Sequence, residues 1–95
     1  MIFRARFTVE TQEQYDLLPA AKLKKVKRPL GHLQTDPRHP SLNTHLYSGH
    51  QNPYDATEPV FEAYAENRTP GAYRIFWCYG PEQSQITVIA ITPHP

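Results

Sequence analysis

A single cysteine, Cys78, excludes an intrachain disulfide and any cysteine zinc cluster. No apolar run approaches the ~20 residues that a membrane helix needs, so no membrane partner is expected. The opening residues 1–6 carry charge but no apolar run and no small-residue cleavage site. A secretory signal is therefore not expected, and the cytoplasm is the expected compartment. An excess of one charge is also missing. Ten lysines and arginines against nine acids leave a net charge of +1, which excludes a uniformly cationic surface but not a local patch. There is no glycine-rich phosphate loop and no G-x-S-x-G elbow. His39, His45 and His50 do not fall at the spacings of metal ligands on a helix, so neither a metal nor a cofactor is expected. Cys78 alternates with Trp77 and Tyr79 in an aromatic segment and reads as a packed, inert thiol.

What is present fits one domain spanning 1–95. The chain has 95 residues, 39% of them hydrophobic, and its ten prolines imply short elements with sharp ends. Ile2 to Val9 alternates, with Phe3, Ala5, Phe7 and Val9 on one face and Arg4, Arg6 and Thr8 on the other, as in a half-buried strand. Thr11 and Gln14 fit a capping box that starts a short helix, with Tyr15 and Leu18 on one side. Pro19 suits the first residue of a second helix. Leu23, Val26, Leu30 and Leu33 form the apolar stripe of that helix, Pro29 should kink or interrupt it, and Asp36-Pro37 ends it. The short link between them predicts an antiparallel helical hairpin. Strands are expected over Ser41 to Tyr47, Val60 to Ala65, Ala72 to Tyr79 and Ile86 to Thr92, the last as a buried central strand. Ser48 to Pro59 is the longest irregular stretch. This order gives an α+β fold: an N-terminal strand, a helical hairpin, then a mainly antiparallel sheet of four or five strands packed against the helices.

Charge and chemistry concentrate in three places. Lys22, Lys24, Lys25, Lys27 and Arg28 lie on the helix whose other side carries the stripe. They read either as a solvated face or as a landing strip for phosphates. Arg74 leaves its strand opposite Tyr73 and Ile75, onto the side away from the helices. It reads either as the cross-strand partner of Glu62 or as a planar donor to a phosphate. His94 ends the last strand, where it is either an ordinary terminal histidine or a proton-transfer group.

Three stretches taken together are similar to the RelE/ParE superfamily of type II toxins. Asp36 to Gly49, with Leu42, His45 and Ser48-Gly49, resembles the family segment that leaves the helices and enters the sheet. Ala72-Tyr73-Arg74-Ile75-Phe76-Trp77 resembles its arginine strand, and Ile86 to Ile91 followed by Thr92-Pro93-His94-Pro95 resembles its last strand and tail. The resemblance covers essentially the whole chain and points to the RelE/YoeB-like branch. It implies a cytoplasmic toxin held silent by a cognate antitoxin protein. Such a toxin enters the 30S A site of the ribosome and cuts mRNA by attack of a 2′-hydroxyl on the adjacent phosphate. Carried over by motif, Arg74 contacts the reacting phosphate and His94 matches a tail histidine of YoeB-like members. Lys22, Lys24, Lys25, Lys27 and Arg28, with Arg6 and His45, would contact ribosome and RNA.

The sequence also departs from the family. Glu62 and Glu66 stand on the strand where active members carry bases, and Pro95 stands where YoeB-like members often have tyrosine. The glutamate those members use near the hairpin exit has no clear counterpart, with Ser41 close to its place. These departures leave two other readings: a ParE-like toxin that binds gyrase without chemistry, and a non-toxic relative that kept the fold.

Overall fold

The computed structural model describes residues 2–94. Five strands and two helices appear: β1 (Arg4–Phe7), α1 (Val9–Asp16), α2 (Ala20–Thr35), β2 (His45–Leu46), β3 (Phe61–Tyr64), β4 (Tyr73–Tyr79) and β5 (Gln85–Pro93). They form one mixed sheet in the order β1-β5-β4-β3-β2. The β1–β5 pair is parallel and the others are antiparallel, which places β5 inside the sheet as its apolar run predicts. No helix among the described residues is long and apolar enough to cross a membrane.

Both helices lie on one sheet face. There Val26 and Leu33 of the α2 stripe meet Ala63, Ile75, Trp77, Ile86, Val88 and Ile91, with Leu42 closing one end. Fully burying each aliphatic side chain of this kind contributes roughly 1.5–3 kcal/mol. Leu23 and Leu30 flank the stripe and are half-buried. Pro29 does not interrupt α2, which runs unbroken from Ala20 to Thr35 with Pro29 buried inside it. The ring replaces a backbone donor, and the packing of the stripe on both sides of it outweighs that loss.

Two expectations need correction. The strand expected from Ser41 reduces to His45–Leu46. Pro40 instead opens a short 3-10 turn, His39 Nδ1 accepts from the Ser41 backbone N–H at 3.2 Å, and Asn43 ends the turn in the left-handed region at φ 47°. Asparagine tolerates that conformation better than most residues. Thr11 is not the cap of α1. Thr8 is, accepting from the Thr11 N–H at 3.1 Å, while Val9 joins the helix and is exposed.

Thr11 has another task. Between β4 and β5, Phe76 pairs with Ala90 but Trp77 pairs with Val88, so Ile89 is an extra residue and β5 carries a bulge. The parallel partner β1 ends opposite Val88. Beyond that point α1 supplies what a strand would have supplied. The Thr11 hydroxyl donates to the Val88 carbonyl at 2.7 Å, and the Ile91 N–H donates to Gln14 Oε1 at 2.8 Å. Two residues that look like a helix cap are therefore hydrogen-bond partners of a buried bulge, where an unmade bond is costly.

Replacing Thr11 with valine keeps its volume and removes one donor to the Val88 carbonyl. The Val88 carbonyl keeps its bond from the Thr8 N–H, so Thr11→Val is expected to lose about 0.5–1.5 kcal/mol of stability, measured by urea unfolding. A loss within experimental error would show that the hydroxyl does not hold the bulge.

Candidate functional site

The sheet face away from the helices is only half open. The long loop after β2 folds back beneath it. Asn52 is buried and its side chain accepts from the Tyr54 and Asp55 N–H groups at 2.8 and 3.2 Å, turning the loop inward. Tyr47 and His50 lie on Phe76 with ring centroids 4.6 and 4.9 Å away, and the Tyr54 hydroxyl meets Thr87 Oγ1 at 3.0 Å. Gly49 makes room for this: a Cβ there would sit 2.5 Å from the Tyr47 ring. The loop and the sheet enclose a second small core of Val60, Phe76, Cys78 and Ala90. Burial pushes the Cys78 thiol up to about 11, in keeping with an inert side chain.

The part left open carries His45 of β2, Glu62 and Tyr64 of β3, Arg74 of β4, and His94 just beyond β5. Alternation alone puts Glu62 and Tyr64 opposite the core residues Phe61 and Ala63, and Arg74 opposite Ile75. His94 arrives by a different route. With strict alternation Ile86, Val88, Ala90, Thr92 and His94 would share the helix side. The extra residue at Ile89 reverses the later half, so Ile91 faces the helices and His94 faces Glu62. The His94 N–H donates to the Ala72 carbonyl at 2.7 Å, extending the ladder to the histidine itself.

Glu62 is the hub. Its side chain is 3% exposed, a placement that a carboxylate tolerates only with compensating donors. His45 Nε2 lies 2.5 Å from Oε1; His94 Nδ1 and Arg74 Nε lie 3.2 and 3.6 Å from Oε2. The other His45 nitrogen, Nδ1, lies 2.9 Å from the Asn43 carbonyl. His45 therefore has an oxygen at each ring nitrogen and bridges the Glu62 carboxylate to the backbone of the preceding turn. The two contacts at Oε2 have ion-pair distance without hydrogen-bond alignment, so Oε2 and Arg74 Nε are buried and without hydrogen-bond partners.

Arg74 is itself held on several sides. Its Nη1 donates to the carbonyls of Glu66 and Tyr73 at 2.5 and 3.3 Å, and its guanidinium lies 3.8 Å from the Tyr64 ring centroid. Its side chain is 7% exposed, against 47% for His45 and 51% for His94. The groups that an incoming molecule meets first are thus the two histidines.

Beside this cluster a groove of about 930 Å³ runs between α2 and the sheet margin. Ala20, Ala21, Pro29 and Ala65 supply apolar walls, and Lys24, Lys25 and Arg28 supply charge. No acid among the described residues lies within ion-pair distance of these three cations. Tyr64 belongs to both the groove and the cluster, so the two are continuous. His32, also in the groove, stacks on His39 at 3.9 Å. Burial, the His39 ring and Arg28 together hold it below its ordinary value, against the pull of Asp36.

Of the residues singled out from sequence, Arg74, His94 and His45 come together, and Lys24, Lys25 and Arg28 lie next to them. Lys27 is exposed but does not line the groove. Lys22 is engaged with Glu66 at 2.9 Å. Arg6 is exposed and pairs in register with Thr87, on the far side of β5 from β4. Pro95 lies outside the described residues. Sequence reasoning treated Glu62 only as a partner or an opponent of Arg74, and did not see that it joins both histidines. The one available signal was its place among the apolar residues of a strand. Glu66 does not point at the cluster. Burial opposes its charge, but the Lys22 ammonium, the Tyr73 N–H and Lys25 outweigh this and hold the carboxyl below its ordinary value. Among the described residues no group of His, Cys, Asp and Glu could hold a metal ion.

No protein-family profile and no curated protein matches the chain. Solved structures do. It is similar to the RelE–RelB complex of Pyrococcus horikoshii OT3 at 14% identity and TM-score 0.70, covering 98% of this chain and 96% of that one. It is similar to the YoeB/ParE toxin of Agrobacterium tumefaciens at 11% identity and TM-score 0.72, covering 98% and 100%. It is also similar to the RelBE toxin–antitoxin complex of E. coli at 14% identity and TM-score 0.66, covering 100% and 99%. The chain has the RelE-like fold: two helices on a five-stranded mixed sheet.

The Glu66 carboxyl is depressed in the folded state, so its contribution to stability is fully present above the ordinary value of 4.5 and is lost as pH falls through its folded value. Glu66→Gln is expected to be less stable than the wild type at pH 7, with the gap closing as pH falls below 4.5. Denaturant unfolding at both ends of that range checks this. A gap that stays constant with pH would remove the Lys22–Glu66 pair from the acid response.

Proposed function

We propose that this chain is the toxin of a toxin–antitoxin pair, an endoribonuclease that cuts mRNA on the ribosome. The observation that carries this reading is the convergence of His94, Arg74 and His45 on the open part of the sheet face, directly beside the unpaired cations of α2. Cleavage by 2′-hydroxyl attack needs three things: a group to take the hydroxyl proton, positive charge for the phosphorane, and a proton for the leaving 5′-oxygen. His94 is the half-exposed imidazole placed to move the hydroxyl proton. Arg74 Nη2 has no hydrogen bond to any described residue and is the guanidinium nitrogen left for a phosphate oxygen. Tyr64, already under Arg74, offers a face on which a base can stack. Lys24, Lys25 and Arg28 would hold the RNA or ribosome backbone by charge, without reading sequence. Lys22, Lys27 and His45 would add to that contact, and Arg6, on the opposite edge strand, would meet only the ribosome.

The partners follow from the same reading. Complexes of RelE with RelB among the structural neighbours support a cognate antitoxin for this chain. A toxin that works on ribosomes works in the cytoplasm. One observation favours a second reading, a non-catalytic protein of this fold that acts by binding, as a ParE-like or disarmed relative would. Glu62 neutralises much of the charge that Arg74 would offer a phosphate, and Tyr64 screens one of its faces.

The test is cleavage of a defined mRNA by purified protein with and without ribosomes, mapped by primer extension. Arg74→Lys keeps the buried charge and removes the planar fork, so the fold is retained while phosphate geometry is lost. The wild type should give ribosome-dependent cuts, and Arg74→Lys should slow them by about 10²-fold or more, the usual cost of losing one donor to a developing anion. Intact mRNA with the wild type would reject the nuclease reading in favour of the binding one.

A further inference from the structure

We propose that Glu62 is the positioning residue of His94, fixing its ring so that Nδ1 carries the proton and Nε2 presents its lone pair to the open face as a proton acceptor. The proposal rests on the nuclease reading only for the identity of the substrate, an RNA 2′-hydroxyl.

Glu62 carries an unmet need. Glu62 Oε2 is buried and has no hydrogen-bond donor, while Oε1 is satisfied by His45. A buried carboxylate oxygen without a donor is costly. Two donors face it, Arg74 Nε at 3.6 Å and His94 Nδ1 at 3.2 Å. Arg74 is fixed by its two carbonyls and by Tyr64, and is buried. His94 is half-exposed and only its backbone is pinned, so its ring is the donor free to turn into line. A neutral imidazole that donates from Nδ1 has its lone pair at Nε2. A carboxylate behind one nitrogen that sets the reactive state of the other is how acid–base histidines are oriented in general. Here the carboxylate is in turn held by His45, whose second nitrogen is anchored on the Asn43 carbonyl.

In the step this serves, the 2′-oxygen forms a bond to phosphorus as its proton passes to His94 Nε2. The bond from phosphorus to the 5′-oxygen breaks, and that oxygen takes a proton from water. The products are a 2′,3′-cyclic phosphate and a 5′-hydroxyl. His94 touches the reacting atoms; Glu62, His45 and the bulge at Ile89 act through it.

The test is a ¹⁵N spectrum of the histidine rings at a pH where His94 is neutral, with Glu62→Gln beside the wild type and the cleavage assay run on both. The wild type should show His94 with the proton on Nδ1, the tautomer that free imidazole side chains disfavour. In Glu62→Gln that preference should be lost, and kcat should fall about 10²-fold with KM within about threefold. A wild-type His94 protonated on Nε2 overturns the proposal, and this needs no substitution to be folded. Cleavage at full rate in folded Glu62→Gln overturns it as well. The Nδ1–H tautomer in a protein that leaves RNA intact upholds the positioning of His94 and overturns the nuclease reading instead.

Discussion

A carboxylate buried in the face of a sheet is the constraint around which the rest of the open surface is arranged. Glu62 lies among apolar neighbours with its side chain 3% exposed, so its charge has to be met from within the chain. Two strands and the tail answer that demand. His45 comes from the short edge strand, Arg74 from the long central one and His94 from the end of the last. The edge strand is only His45–Leu46, and its register places His45 opposite Glu62. What looks in sequence like an acid intruding on a basic surface is the group that assembles that surface.

The arrangement depends on packing at a distance from it. β5 is bordered by β1 in its first half and by α1 in its second, and the change occurs where Ile89 bulges out. Gln14 takes up the Ile91 N–H there, and the Thr11 hydroxyl adds a second donor to the Val88 carbonyl, which also accepts from the Thr8 N–H at 3.3 Å. The consequence reaches the site, because the bulge decides which face His94 takes. On the same face, Tyr47, His50 and Tyr54 close the half of the sheet that the helices leave bare. The loop thereby confines the open chemistry to the half that holds Glu62.

Much of this was legible in the sequence. Period two in residues 3–7, the aromatic run of 73–79 and the apolar run of 86–91 mark three strands, and the spacing of Leu23, Val26, Leu30 and Leu33 marks α2. Alternation put Arg74 on the uncovered face, and only the family resemblance set His94 beside it. The misses share a cause: each was decided by a contact with a distant part of the chain or by one special backbone position. Thr11 fits a cap by local pattern, but its hydroxyl serves Val88. A bulge inside Ile86 to Ile91 leaves no mark, since nearly every residue there is apolar. Asn43 in the left-handed region cut short an expected strand. The loop around Asn52 reads as exposed and polar, yet Asn52 is buried because its side chain caps its own turn.

The proposed function makes one claim that can be tested by itself: RNA would be met at the Glu62 cluster and along the basic groove beside it, not across the whole sheet. The groove joins the cluster through Tyr64, so a strand held by Lys24, Lys25 and Arg28 passes a stacking face before it reaches His94. The most direct measurement is chemical-shift mapping of isotope-labelled protein titrated with a short single-stranded RNA made uncleavable by 2′-methoxy groups. The account predicts perturbations centred on His45, Tyr64, Arg74, His94 and the α2 cations, with Arg4, Arg6 and the Asn52 loop unchanged. Shifts confined to β1 and that loop, with the Glu62 cluster silent, would contradict it.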